Sequence, residues 1–175
     1  VDQVVDFNLG GSSLTLRHHG KLQYDYLVLG LGSIENDRAV PGVNDYSFSM
    51  QNINDAYHLR RVVKSLIKKK DSGDIIIGGG GATGIELAFA VKELLPLDSK
   101  WQLSIIEQSN NIMPSYNKYL GKKVLQMLNQ QSIAVFFNST ITKVKLHQLI
   151  IDHDHNIPFD LFVWAGGLRA NTLLL

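Results

Sequence analysis

Hydrophobic and polar positions change period several times along the chain, and each change marks an element. Val1 to Phe7 alternates, Leu14-Thr15-Leu16 alternates again after Gly10-Gly11, and His19-Gly20 marks a turn before the apolar run Tyr24–Leu29. The opening third therefore predicts a β-meander leading into a buried strand. Gly30-Leu31-Gly32-Ser33 closes it, and Pro41-Gly42 marks a further turn. From Asn54-Asp55 the period becomes helical, with Ala56, Leu59, Val63, Leu66 and Ile67 on one face and Arg60, Arg61, Lys64 and Lys68 largely on the other. Lys68-Lys69-Lys70 ends this helix before a break at Asp71-Ser72-Gly73. Cations are favoured at a helix C-terminus, so the basic run reads as a solvated face, with contact to anionic lipid as the alternative.

Ile75-Ile76-Ile77 predicts a buried strand that runs into four glycines, Gly78 to Gly81, and then into a helix. Ile85, Leu87, Ala88, Phe89, Val91, Leu94 and Leu95 carry its apolar spacing. Pro96 and Asp98-Ser99-Lys100 interrupt the pattern, and Leu103–Ile106 predicts a second strand ending at Glu107. A third helix follows Pro114-Ser115, with Leu120, Val124, Leu125 and Leu128 inward. A buried strand at Ile133–Phe137 comes next, then a hairpin of Thr140–Leu146 and Leu149–Asp152 around His147-Gln148. Leu161–Trp164 is the last buried strand, with Ala165-Gly166-Gly167 at its carboxyl end. This order predicts an α/β fold: a doubly wound, Rossmann-like parallel sheet with a β-meander insertion. Such sheets bind ligands beyond the carboxyl ends of their strands, where Gly79–Gly84 and Ala165–Gly167 both fall.

Gly79, Gly81 and Gly84 fit the G-x-G-x-x-G dinucleotide fingerprint. Gly79 permits the tight turn, Gly81 lets backbone approach a pyrophosphate, and Gly84 lets the helix pack on the strand. The unpaired N–H groups of the helix N-terminus face the phosphates, so Ala82 and Thr83 join the pyrophosphate set, with the Thr83 hydroxyl as a further donor. A structural glycine turn is the plain alternative. The fingerprint also calls for an acid at the end of the next strand, and Glu107 stands there. Its carboxylate can accept hydrogen bonds from the adenosine ribose hydroxyls. Like charges about 4 Å apart repel by a few kcal/mol at intermediate dielectric, so Glu107 disfavours a 2′-phosphate and selects NAD(H) over NADP(H). The spacing, 107 − 79 = 28, exceeds the roughly 20 of the fingerprint and calls for an extended helix or exit loop. The competing role for Glu107 is a solvated charge at a strand end.

Composition narrows the rest. The chain has 175 residues, 45% hydrophobic and 19% charged, with formal net charge +1, which suits a globular protein and gives no argument for nucleic acid. No run reaches the roughly 18 apolar residues of a membrane span. Cysteine is absent, so the chain itself holds no disulfide, thiolate metal site or cysteine-pair redox centre. His153-Asp154-His155 reads as a solvated hairpin end, and no metal site is expected.

Three separated segments carry a family resemblance. Tyr24–Ser33 with Pro41-Gly42-Val43 and Asn54-Asp55-Ala56 is similar to the middle of two-dinucleotide-domain flavoproteins. Gly79–Glu86 resembles their second, NADH-binding glycine motif, and Val163–Asn171 resembles the segment that closes the NADH domain. Trp164, Arg169-Ala170-Asn171 and the long helix before Glu107 resemble the type II NADH dehydrogenases (NADH:quinone oxidoreductases) of the FAD-dependent pyridine nucleotide-disulfide oxidoreductase superfamily. The resemblance departs at the extra Gly78 and at Gly166, where alanine is more usual and a looser nicotinamide pocket is expected.

The resemblance implies an enzyme that passes hydride from NADH to FAD and on to quinone, peripheral to the inner, cytoplasmic face of the cell membrane. It implies that Glu86 lies near nicotinamide and flavin, although a carboxylate favoured by the helix dipole is the alternative. It implies that Ala165 and Gly166 border the nicotinamide carboxamide, and that Gly32 and Ser33 form a flavin-contacting turn. Residues 1–50 then belong to a truncated FAD-binding domain, 51–167 to the NADH-binding domain, and 168–175 to the return toward the FAD domain. On that reading the fragment alone is inactive, and its exposed partial strands self-associate into a homodimer. Two other readings share these residues: a FAD-dependent NAD(P)H reductase with a non-quinone acceptor, and a non-catalytic NAD-sensing module.

Overall fold

The computed structural model describes residues 1–36, 40–98, 100–171 and 173. The chain divides into two compact units, one of residues 1–34 with 168–175 and the other of residues 35–167. In the smaller unit, β1 (Val4–Asn8), β2 (Ser13–Leu16) and β3 (Gly20–Gln23) pair antiparallel in that order, which is the expected meander. The buried strand expected at Tyr24–Leu29 does not form. Tyr26 and Val28 are 94% and 91% exposed. A strand exists only where neighbours take its N–H and C=O groups, and among the described residues no strand pairs with 25–29. An apolar run states a preference for burial and does not supply the ladder.

β4 (Ser33–Glu35) leads toward the larger unit, which begins with the short helix α1 (Val43–Tyr46) and the long helix α2 (Ile53–Lys69). The N-cap of α2 is Asn52, two residues before the expected start. Its side chain accepts from Asn54 N and Asp55 N, while Asp55 answers onto the Asn52 backbone N–H. The expected break at Asp71-Ser72-Gly73 is shorter than it reads, because Ser72 already opens β5 (Ser72–Gly78). There follow α3 (Ala82–Leu94), β6 (Lys100–Ile106), α4 (Lys118–Gln130), β7 (Ala134–Phe136), β8 (Ile141–Lys145), β9 (Gln148–Ile151), β10 (His155–Pro158) and β11 (Leu161–Trp164). The last strand, β12 (Leu168–Ala170), pairs with β4.

Four parallel strands stand in the order β11-β5-β6-β7. Side-chain alternation sorts them between two cores. Ile75, Ile77, Leu103, Ile105, Leu161 and Val163 join Leu59, Val63, Ala88, Val91 and Leu128 of the helices. Ile76, Ile106, Phe162 and Trp164 face the other way, against Ile141, Val144, Leu149 and Ile151 of the meander. The second face is thus covered by a three-stranded sheet, β10-β9-β8, and not by the helix layer that a doubly wound sheet carries. The expected two-stranded hairpin has this third strand because His155–Pro158 pairs with β9. β7 is an edge strand, with Phe136 half exposed, and is less buried than Ile133–Phe137 suggested.

Asp160, just before β11, accepts from the Asp74 N–H at 2.9 Å and pairs with Lys70 at the end of α2. Burial raises its pKa, but Lys70 and the Asp74 N–H outweigh this and hold it below the usual carboxylate range. A lowered carboxyl contributes stability above its unfolded pKa, about 3.9, and loses it as pH falls through the folded value. Asp160→Asn should therefore melt below the parent at about pH 6, with the gap closing below about pH 4. A gap that persists unchanged into strong acid would contradict this role.

Candidate functional site

A cleft of about 510 Å³ opens at the carboxyl ends of β5, β6 and β11, all within the larger unit. Its floor is the glycine turn. Gly79 sits at φ +119, a conformation that side-chain-bearing residues rarely adopt, and a Cβ there would collide with the Ala165 carbonyl. Its N–H continues the sheet onto Ile106 O at 2.9 Å. Gly81 is the N-cap of α3 and offers no side-chain cap. A Cβ at Gly81 would meet nothing within 4 Å, so its Cα faces open space, and both Gly81 and Ala82 line the cleft. The first N–H groups of any helix lack intrahelical partners, and here they gather at the cleft floor. Gly84 is buried, and a Cβ on it would overlap the Gly79 carbonyl oxygen, so this glycine sets how closely α3 approaches β5.

Glu107 lines the same cleft from the end of β6 but is only 5% exposed. Its Oε2 accepts from the Gly80 N–H at 2.7 Å and its Oε1 from the Ser109 N–H at 2.7 Å. That burial rules out the solvated strand-end charge. The carboxylate clamps the glycine turn to the neighbouring strand end. Each oxygen carries two acceptor sites, so each keeps one free for a further donor. Gly80 was not singled out by the fingerprint, yet it ties the site together: its carbonyl also accepts from Met113 N–H at 2.8 Å. The run of four consecutive glycines, two more than the fingerprint places within it, was the signal for it.

The other wall is the end of β11. Ala165 N–H donates to Gly78 O at 2.8 Å, and Ala165, Gly166 and Trp164 all line the cleft. The looseness expected at Gly166 is absent. The Trp164 indole occupies the place a Cβ would take, and its Nε1–H donates to Asn36 O at 2.9 Å. The extra Gly78 has a comparable reason, since a Cβ there would press on Ile141 and Phe162 at about 3.0 Å under the meander.

Several expected residues lie elsewhere. Thr83 and Glu86 are exposed on α3 and are not among the cleft-lining residues. Glu86 is the fifth residue of α3, one position beyond its first turn. Gly32 and Ser33 belong to the smaller unit, Gly32 at φ +64 and Ser33 opening β4. Among the described residues no cluster of three or more acidic or histidine side chains could hold a metal ion. No helix among them is long and apolar enough to cross a membrane.

Comparison with known proteins agrees with this architecture. The chain is 28% identical over 155 residues to NADH dehydrogenase-like protein YutJ of Bacillus subtilis, covering 87% of this chain and 41% of that one. It is 29% identical over 184 residues to the type II NADH:quinone oxidoreductase of Haemophilus influenzae, with the same two coverages, 87% and 41%. It thus spans about two fifths of the length of these relatives. Among solved structures, NDH2 from Plasmodium falciparum in complex with NADH shares the fold at a TM-score of 0.86 and 22% identity, over 98% of this chain and 41% of that one. The family model for pyridine nucleotide-disulphide oxidoreductases matches residues 1–175, end to end. With a glycine turn, an uncapped helix mouth and a strand-end carboxylate in one cleft, the chain belongs to the pyridine nucleotide-disulphide oxidoreductase family.

Proposed function

We propose that residues 35–167 form the NADH-binding part of a flavin-dependent NADH dehydrogenase that delivers electrons to quinone. The observation that carries this reading is the pairing, in one cleft, of the uncapped N-terminus of α3 with the Glu107 carboxylate. The residues present fit the dinucleotide. Gly81 leaves room where phosphates approach, the first N–H groups of α3 favour negative charge, and Glu107 retains acceptor capacity for ribose hydroxyls.

NADH, when bound, supplies a hydride from its nicotinamide ring. The protein's part is to hold and orient: Gly81, Ala82 and Gly84 shape the pyrophosphate seat, Glu107 takes the adenosine ribose, and Ala165 and Gly166 border the nicotinamide with Trp164 behind them. Thr83 and Glu86, exposed on α3, act on this reading at the rim or against a further part of the intact protein. For a flavin, the described residues offer only the Gly32-Ser33 turn, which does not fit a complete site, so no flavin step is derived from this chain. Quinone reduction, attachment to the inner face of the membrane and dimer formation through the exposed 24–29 stretch belong to the same proposal for the intact enzyme. Calorimetric titration tests it. NADH should bind in the micromolar range, NADPH more weakly, and FAD without stoichiometric uptake. Equal affinity for NADH and NADPH, or no NADH binding, would overturn the reading.

A further inference from the structure

Behind the cleft wall formed by Met113 and Tyr116 lies a second pocket of about 340 Å³, which those two residues also line. Its floor is apolar, from Ile112, Leu125 and Phe137. Lys118 and Lys122, one helical turn apart on α4, stand at its exposed rim. No acidic residue lines it, and none occurs in sequence between Glu107 and Asp152. An apolar floor with paired cations at the rim is complementary to a molecule with an apolar body and one anionic head.

The partition between the two pockets is held in an unusual conformation. Met113 has φ +53, a left-handed backbone for a side-chain-bearing residue, and its N–H is committed to Gly80 O. On the far side, Gly121 lets α4 approach the loop so closely that a Cβ would come within 2.9 Å of the Ile112 carbonyl. The loop is thus pinned to the glycine turn at one end and to α4 at the other. We infer that this outer pocket binds a small amphipathic carboxylate and that its occupancy tightens nucleotide binding in the adjoining cleft. The ligand packs behind Met113 and adds contacts to the backbone conformation that holds Gly80 and Gly81 in place. By linkage, nucleotide tightens the carboxylate by the same factor.

The coupling rests on the nucleotide reading above, whereas occupancy of the outer pocket does not, so the two are measured separately. Octanoate is titrated into the full chain without nucleotide, and NADH is then titrated with and without saturating octanoate. The expected results are saturable octanoate binding and an NADH dissociation constant lowered about five-fold, at the lower end of ordinary coupling. Lys118→Glu with Lys122→Glu should abolish octanoate binding. Lys143→Glu with Lys145→Glu, the same charge change on the exposed side of β8, should leave it intact. Absence of saturable octanoate binding, or equal loss in both double variants, would overturn the pocket. An NADH affinity unchanged or weakened by octanoate would overturn the coupling, and an absence of NADH binding altogether would instead condemn the nucleotide reading.

Discussion

Gly84→Ala should both destabilise the larger unit and weaken nucleotide binding more than ten-fold. The added methyl would fall on the Gly79 carbonyl oxygen, and Ala165 Cβ lies only 3.5 Å away, so the methyl meets backbone and not a side chain that can swing aside. Relief requires α3 to move off β5, taking Gly81 and Ala82 with it, and the cleft floor opens. Overpacking of a tight site costs about 1–3 kcal/mol, and a backbone-on-backbone clash belongs at the top of that range. For a domain of this size about 3 kcal/mol corresponds to a fall in Tm of roughly 10 °C. Thermal melting by circular dichroism gives the first quantity and NADH titration of the still-folded variant the second. A variant that melts with the parent and binds normally would show that the helix does not approach as closely as described.

Glu107→Ala ranks next. The acid was expected from sequence to do one thing, hold a ribose, but its two oxygens also take the Gly80 and Ser109 N–H groups. Leaving a buried donor without an acceptor costs about 1–3 kcal/mol, and the Ser109 N–H is only part-buried, so the alanine variant should lose roughly 2–5 kcal/mol before any nucleotide is added. It should also bind NADH at least ten-fold more weakly and discriminate less against NADPH, because the repulsion toward a 2′-phosphate is gone. Glu107→Gln separates the two roles. Its single amide oxygen can serve one of the two N–H groups, so it should recover part of the stability while the NADH-over-NADPH preference stays reduced. If the glutamine variant keeps the full preference, the negative charge is not what reads the ribose. If the alanine variant is as stable as the parent, the carboxylate is not a clamp.

Much of the parallel sheet was legible because each strand's own pattern states how deeply it is buried. Leu161–Trp164 is a strand with the expected bounds, and Ile75–Ile77 and Leu103–Ile106 lie in strands that each begin three residues earlier. The glycine turn was legible for a similar reason, since Gly79 and Gly84 answer, at a fixed offset, to local backbone geometry and close packing. Tyr24–Leu29 read as a strand by the same rule and is not one, because apolar content cannot say whether a neighbour is there to pair. The covering of the sheet's second face went astray at His153-Asp154-His155, whose polar composition hid a third meander strand. Its pairing with β9 is set by register across a turn, which composition does not report.

By itself the sequence determined the order of the parallel strands β5, β6, β7 and β11 with the helices α2, α3 and α4, the place of the glycine turn, and the presence of a carboxylate one strand over. All of these follow from short-range spacing. The tertiary structure alone decided that Glu107 grips Gly80, that Trp164 fills the room left by Gly166, and that Glu86 and Thr83 lie outside the cleft lining. Those facts join residues far apart along the chain or depend on the angle at which a helix leaves its strand. They are fixed only when β5, β6 and β11 are hydrogen-bonded in register and α3 has settled against them.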